Sequence, residues 1–111
     1  MQVINNRVKR YIDTVSGEEL YVTVERSLYS DRSHVKYYKD KGMTIHHRID
    51  GPAIIYADGG SMWMANNKYH RLDGPAKIWA NGDTDWNIDG VLIMELDMHN
   101  KFLSRMGEER I

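Results

Sequence analysis

The sequence predicts a mainly β fold of stacked antiparallel hairpins, about 23 residues each, with an N-terminal β cap and a C-terminal α-helix. Two observations carry the prediction. One segment occurs twice, and short apolar stretches alternate with turn residues along most of the chain. With 111 residues the chain has the usual length of one domain, so we expect a single domain over residues 1–111.

The repeat is carried by a seven-residue motif. Residues 47–53 read HRIDGPA, and residues 70–76 read HRLDGPA. Ten of 21 positions are identical between residues 47–67 and 70–90, and both prolines of the chain stand in the two motifs. Such self-similarity indicates a repeat architecture, which we place at residues 46–91.

Each unit is predicted to form one β-hairpin. Its Asp-Gly-Pro turn breaks the chain, since glycine tolerates unusual backbone angles and proline fixes its own. A five-residue stretch then leads to a hairpin turn at Gly59 or Gly82, and the return stretch carries Trp63 or Trp86. We expect these tryptophans to fill the core of a thin sheet. Because one hairpin alone is marginally stable, we expect the units to stack.

This pattern resembles the MORN-like hairpin repeats found in many uncharacterised phage and bacterial proteins, one relative being a bacterial antitoxin family. The resemblance covers residues 46–91, which are two full units and the start of a third. The Asn-Gly turn usual after the tryptophan is Asn66-Asn67 in the first unit. The resemblance implies a fold and a scaffolding or binding role, and it implies no reaction.

The N-terminal residues 1–45 lack the repeat but predict strands that cap the stack. Leu20, Val22 and Val24 alternate with polar or aromatic residues, which is typical of a half-buried strand. Residues 8–13 are expected to pair with it through a turn near residues 16–17, and residues 35–38 to form a further strand.

The C-terminal residues predict a helix over 92–106. Leu92, Leu96, Leu103 and Met106 recur at spacings close to helical, and Gly107 is a plausible stop. Such a helix would close one edge of the sheet.

Histidine and aspartate recur within the motif and invite comparison with a metal site. Because they recur together with arginine, we assign them to turn stabilisation, with the aspartate accepting local N–H bonds and the arginine or histidine pairing with it. These turn residues are His47, Arg48, Asp50, His70, Arg71 and Asp73. The chain has no cysteine, no HExxH and no phosphate-binding glycine loop, so we expect no enzyme, no metal and no cofactor.

Basic residues interleaved with aromatic ones offer a nucleic-acid contact in the N-terminal half. They are Arg7, Lys9, Arg10, Lys36, Lys39 and Lys41. Cations can follow phosphates while aromatic rings stack on bases. The alternative is a solvated strand face, which we favour because the net charge of the chain is -1.

The two units differ on the face opposite the tryptophans. Ile54, Tyr56, Met62 and Met64 in the first unit are replaced by Lys77, Trp79, Asp85 and Asn87 in the second. Exposed apolar area costs roughly 25 cal/mol per Å², so something must cover the face in the first unit. The cover is either the chain itself, a second copy or a partner protein.

We therefore expect a non-enzymatic protein-binding module that acts by occlusion. Its most concrete form is a phage-encoded inhibitor of a host defence protein or an antitoxin-like neutraliser. The predicted partner-binding residues are Ile54, Tyr56, Met62, Met64 and Trp79. The partner is a host or cognate protein, with homo-oligomerisation as a further option. The alternative is a nucleic-acid or nucleotide binder. No membrane segment or secretory signal is expected, which places the chain in the cytoplasm, that of the host if it is viral.

Overall fold

The computed structural model describes residues 8–28 and 30–93, and this part of the chain is mainly β and contains no helix. The strands are β1 (Val8–Ile12), β2 (Glu19–Arg26), β3 (Ser33–Tyr38), β4 (Ile54–Ile55), β5 (Ser61–Met62), β6 (Met64–Ala65), β7 (Lys68–Tyr69), β8 (Lys77–Ile78), β9 (Thr84–Ile88) and β10 (Val91–Ile93).

Eight strands form one sheet in the order β1-β2-β3-β4-β5-β8-β9-β10, while β6 and β7 form a separate two-stranded hairpin. All pairings are antiparallel. The sheet is a meander in which only the β6–β7 hairpin is set aside, so the chain crosses the sheet in sequence order. The predicted mainly β, antiparallel fold is confirmed at this level.

The N-terminal residues form three paired strands, as predicted. β1 pairs with β2 and β2 with β3. Leu20 and Val22 are buried on β2, whereas Val24 of the predicted alternation is exposed. The β1–β2 turn contains Gly17 at a φ of 76°, a backbone angle that favours glycine.

The hairpins of the two units are shorter than the sequence predicted. Each five-residue stretch contributes only two strand residues, in β4 and in β8, because the turn begins directly after them. Gly59 and Gly82 adopt φ of 99° and 95° in these turns. The following tight turns also need positive φ, at Asn66 and Asn67 after β6 and at Asp89 and Gly90 after β9.

The predicted helix is corrected at its start. Leu92 and Ile93 lie in β10, which pairs with β9. The tight turn before Val91 reverses the chain and returns it along β9, so these apolar residues follow the sheet and not a helix. The rest of the predicted helix lies outside the described residues.

The buried core of the first unit lies on one face of the central strands. Its cluster consists of Ala53, Ile54, Met62 and Met64, with Tyr56 and Tyr69 packed against it. The strand register places Ile54 opposite Met62 and continues to Lys77 on β8. The chain itself therefore buries most of the apolar face that distinguishes the first unit.

Candidate functional site

The His-Arg-x-Asp-Gly-Pro-Ala motif folds into what we call an arginine clamp. In the first unit Arg48 Nε donates to Asp50 Oδ1 at 2.6 Å, and Nη1 donates to the carbonyl oxygen of Pro52 at 3.2 Å. The same guanidinium lies over the ring of Tyr37 on β3, with 4.1 Å between Cζ and the ring centroid. The clamp thus joins the turn to a strand of the sheet through an ion pair, a hydrogen bond and a cation–π contact.

The second unit repeats the clamp with the same atoms. Arg71 Nε donates to Asp73 Oδ1 at 3.0 Å, and Nη1 donates to the carbonyl oxygen of Pro75 at 3.2 Å. Here the guanidinium lies 3.8 Å from the ring centroid of Trp63. Trp63 therefore holds the place that Tyr37 holds in the first clamp, half-buried beneath an arginine.

The glycine of each motif makes room for the clamp. A β-carbon on Gly51 would stand 2.6 Å from Arg48 Cζ, and one on Gly74 would stand 2.6 Å from Arg71 Cζ. No side chain fits there unless the arginine moves. The recurrence of glycine is thus explained by the close approach of the guanidinium.

The histidine of each motif supports the next tight turn. His47 Nδ1 accepts a hydrogen bond from the N–H of Asn66 at 3.0 Å, and His70 Nδ1 accepts one from Asp89 at 3.0 Å. Because Nδ1 accepts, the proton of the neutral ring is on Nε2. In the first unit this Nε2 donates to Glu18 Oε1 at 2.7 Å.

A buried aspartate that the sequence analysis did not single out joins the N-terminal strands to the first motif. Asp13, in the β1–β2 turn, is fully buried. Its Oδ1 accepts the N–H groups of Val15 and Ser16 at 2.9 and 3.0 Å. Its Oδ2 accepts those of Ile49 and Asp50 at 2.6 and 3.1 Å. One carboxylate thus satisfies four backbone donors from two distant turns.

Asp50 completes this network from the motif side. Its Oδ2 accepts hydrogen bonds from the hydroxyl of Tyr11 and from both the N–H and the hydroxyl of Thr14. With the bond from Arg48 to Oδ1, four donors converge on this carboxylate. We call Tyr11, Asp13, Thr14, Arg48 and Asp50 the turn network.

The network favours ionised carboxylates. Burial would raise the pKa of Asp50, but bonds from Thr14, Tyr11 and Arg48 hold that pKa well below its usual range. Burial would likewise raise the pKa of Asp13, and four backbone N–H donors lower it below its ordinary value. The bond from His47 lowers the pKa of Glu18, and the bond to Asp50 raises the pKa of Tyr11.

The turns that follow β4 and β8 enclose a groove at one end of the sheet. Tyr56 N–H donates to the carbonyl oxygen of Gly60 at 2.8 Å, and Trp79 N–H donates to that of Asp83 at 2.9 Å. Between the two turns lies a cavity of about 230 Å³. The residues that line this tip groove are Tyr56, Asp58, Gly60, Met62, Trp79 and Ala80.

The tip groove combines an apolar floor with exposed aromatic and acidic walls. Met62 is buried, while Trp79 is 39% exposed and Asp58 is exposed. Asp58 Oδ1 accepts the N–H of Gly60 at 2.8 Å, which fixes the carboxylate. A β-carbon on Gly60 would approach the carbonyl oxygen of Ile78 to 3.2 Å, so glycine lets this hairpin lie close to β8.

A second hollow of about 530 Å³ adjoins the tip groove and shares Tyr56 and Asp58 with it. His34 of β3 lines it. The His34 ring meets the Tyr56 ring edge-on at 5.7 Å, and its Nδ1 accepts the N–H of Ala57 at 2.9 Å. These contacts fix the Tyr56 wall from the outer side.

The structure divides the predicted partner-binding residues into two groups. Ile54, Met62 and Met64 are buried in the chain itself, so they do not form an exposed apolar face. This corrects the expectation: the strand register places Ile54 directly opposite Met62 within the core cluster. Tyr56 is half-buried and Trp79 exposed, and both line the tip groove.

Three of the predicted nucleic-acid residues contact neighbouring side chains of the chain itself. Lys36 Nζ lies 3.1 Å from Glu25, Arg10 Nε lies 3.3 Å from Glu19, and Lys39 Nζ donates to Asn66 at 2.7 Å. Lys9 is exposed on β1 and Lys41 lies in the loop after β3, whereas Arg7 is outside the described residues.

Comparison with known proteins found no matching family model, no matching curated protein and no matching solved structure. Over residues 8–28 and 30–93 no three histidine, aspartate or glutamate side chains are grouped to hold a metal ion. The same residues contain no helix able to cross a membrane.

Proposed function

We propose that this chain is a non-enzymatic protein-binding module and that it binds its partner through the tip groove. The observation that carries the proposal is the exposure of Trp79 beside Tyr56 over a formed cavity. Tryptophan and tyrosine dominate the energetics of protein interfaces, where they fill or line small pockets. A cavity of about 230 Å³ is smaller than typical small-molecule pockets, which measure about 300–1,000 Å³, so it suits one partner side chain.

The backbone around the tip groove supports this role because it is fixed before any partner arrives. The turns at Gly59 and Gly82 have the same hydrogen-bond pattern, with their N–H groups donating to Tyr56 and Trp79 at 3.0 and 2.9 Å. A preformed surface loses little conformational entropy on binding, which favours affinity.

The polar residues of the motifs support the proposal in a second way. The arginine clamps and the turn network use their donors and acceptors within the fold. The aromatic groove at the hairpin tips, in contrast, presents Trp79 and Asp58 to solvent.

The resemblance to MORN-like repeats suggests which kind of partner the chain binds. We propose that residues 46–91 are two stacked units of that kind, because both units make the same clamp, onto Tyr37 of β3 in the first and onto Trp63 between β5 and β6 in the second. By that resemblance, the chain is an inhibitor of a host defence protein or an antitoxin-like neutraliser that occludes its target.

The test compares two exposed apolar residues of the second unit, one before β8 and one after it. Trp79→Ser removes the groove wall, whereas Leu72→Ser changes a side chain of similar exposure (45%) in the second motif. Each variant of the full chain is used as bait in lysate with and without nuclease treatment, and captured proteins are quantified by mass spectrometry. We expect one protein to be captured by the wild type and by Leu72→Ser, with at least tenfold loss for Trp79→Ser.

Equal capture by both variants would contradict the groove as the binding site. Capture that disappears with nuclease treatment would favour the nucleic-acid alternative.

A further inference from the structure

The arginines of the two motifs have the same two neighbours, an aromatic ring under the guanidinium and an aspartate bonded to Nε. Arg48 lies between Tyr37 and Asp50, and its ring distance is 4.1 Å. In the second unit Arg71 lies 3.8 Å from the ring centroid of its tryptophan and bonds to Asp73. Aromatic rings attract cations through their negative faces, and a carboxylate adds a charge-assisted hydrogen bond.

The tip groove offers the same two kinds of group to solvent. Trp79 and Tyr56 supply the aromatic walls, and Asp58 supplies the carboxylate. The hydrogen bond from Gly60 to Oδ1 orients that carboxylate within the groove lining.

The charge within the groove lining favours a cation over an anion. That lining includes one charged side chain, the carboxylate of Asp58. Asp83 and Asp85 lie in the neighbouring β8–β9 hairpin, where Lys77 stands opposite Asp85. Lys36 lies near Tyr56 and is paired with Glu25, and Arg26 lines the adjoining hollow. Lys77 Nζ lies over the ring of Tyr69 at 4.1 Å and is farther, 5.9 Å, from the centroid of Trp79. Residues 50–111 as a whole hold 6 basic and 10 acidic side chains, a sum of -4.

We propose that the tip groove binds the guanidinium of an arginine side chain on the partner protein. The proposal rests on the proposed function and names the chemistry that the groove recognises. A planar guanidinium stacks on Trp79 and hydrogen-bonds to Asp58, as the two internal arginines do with their own ring and aspartate.

The probe is N-acetyl-arginine amide, titrated into the full chain while the indole N–H signal of Trp79 is followed by NMR. N-acetyl-citrulline amide is the matched neutral probe, because it keeps the shape and loses the charge. We expect saturable binding of the arginine probe in the millimolar range and at least about fivefold weaker binding of the citrulline probe.

Asp58→Asn is the sharpest variant, because the second unit already carries Asn81 at the equivalent position. There Asn81 Oδ1 accepts the N–H of Asp83 at 2.9 Å, so asparagine preserves this kind of turn. We expect Asp58→Asn to weaken binding of the arginine probe at least threefold and to leave binding of the citrulline probe unchanged. The control is Asp89→Asn, whose carboxylate is 78% exposed in the turn after β9, where the first unit carries Asn66, and it should alter neither probe.

Equal binding of the two probes, or no saturable shift of Trp79 with arginine, would overturn the inference. Its failure is distinguishable from failure of the proposed function. If capture of a partner depends on Trp79 but is unchanged by Asp58→Asn, the protein-binding function stands. Only the inference that the groove binds an arginine side chain is then wrong.

Discussion

The two units share one motif but differ in what surrounds it. The first clamp is enclosed: the side chains of Arg48 and Asp50 are 14% and 5% exposed. The second is open on one side, since Asp73 is 79% exposed while Arg71 is 21% exposed. The same ion pair therefore lies in a buried network in one unit and at the surface in the other.

The difference comes from the strands that precede the repeat. Tyr11 reaches the first motif from β1 and Asp13 reaches it from the β1–β2 turn, and among the described residues nothing equivalent reaches the second. The core shows the same contrast. Met64 is buried among apolar residues, whereas its counterpart Asn87 is buried with an Oδ1 that lacks a hydrogen-bond partner among the described residues. The same motif therefore forms the same hydrogen-bonded turn in both units, and the surrounding residues determine how deeply that turn is buried.

The largest effect is expected from Asp13→Ala. This change leaves four backbone N–H groups without their acceptor, and each buried unsatisfied donor costs about 1–3 kcal/mol. We expect at least about 4 kcal/mol lower free energy of unfolding, measured by urea denaturation. The matched control is Asp40→Ala, since Asp40 accepts Thr44 and Ile45 within one local loop, and it should cost about 1 kcal/mol. Equal losses would contradict the linking role of Asp13.

The next largest effect separates the two clamps directly. Asp50→Ala removes a buried partner of Arg48 and is expected to cost about 3 kcal/mol. Asp73→Ala breaks an exposed pair and is expected to cost under about 1 kcal/mol. Both values come from urea denaturation of the full chain. If the two substitutions cost the same, the enclosure of the first clamp contributes nothing.

Substitutions of the motif glycines should also destabilise the first unit more than the second, but by less than the aspartate substitutions do. Alanine at either Gly51 or Gly74 forces the arginine away, because the β-carbon would stand 2.6 Å from its Cζ. Arg48 is held by more partners than Arg71, so we expect about 2 kcal/mol for Gly51→Ala and about 1 kcal/mol for Gly74→Ala. Thermal unfolding followed by circular dichroism measures both. A larger loss of stability for Gly74→Ala than for Gly51→Ala would contradict the expectation that the first clamp is held more firmly.

The turn network, together with Glu18, should also make the stability of the folded chain decrease in acid. The pKa values of Asp13, Asp50 and Glu18 are lower in the folded chain than their ordinary values. The unfolded chain therefore binds more protons in acid, so stability is retained above the ordinary carboxyl pKa and falls as pH drops below about 5.

Asp50→Asn tests this dependence. We expect the urea midpoint of the wild type to fall between about pH 6 and pH 3.5, and the fall to be smaller in the variant because one titrating carboxylate is gone. If the urea midpoint falls equally with pH in the two proteins, Asp50 does not contribute to the acid sensitivity.

The sequence predicted the parts of the fold that local residues determine. The repeated turn residues predict the hairpins because glycine and asparagine permit the positive φ that Gly59 and Asn66 adopt. The exposure of Trp79 and the burial of Met62 could not be read from alternation, since alternation does not show which face the rest of the chain covers. The link from Asp13 to Ile49 joins residues 36 apart, and Asp13 lies outside the repeat.

The most direct test of the account is native-state hydrogen exchange at the two motif turns. The amides of Ile49 and Asp50 donate to the buried Asp13 carboxylate, and among the described residues no carboxylate accepts the equivalent amides of Leu72 and Asp73. We predict that the first pair exchanges at least about a hundredfold more slowly than the second, which corresponds to about 2.7 kcal/mol of additional local stability. Equal exchange rates in the two turns would contradict the claim that the N-terminal strands anchor the repeat.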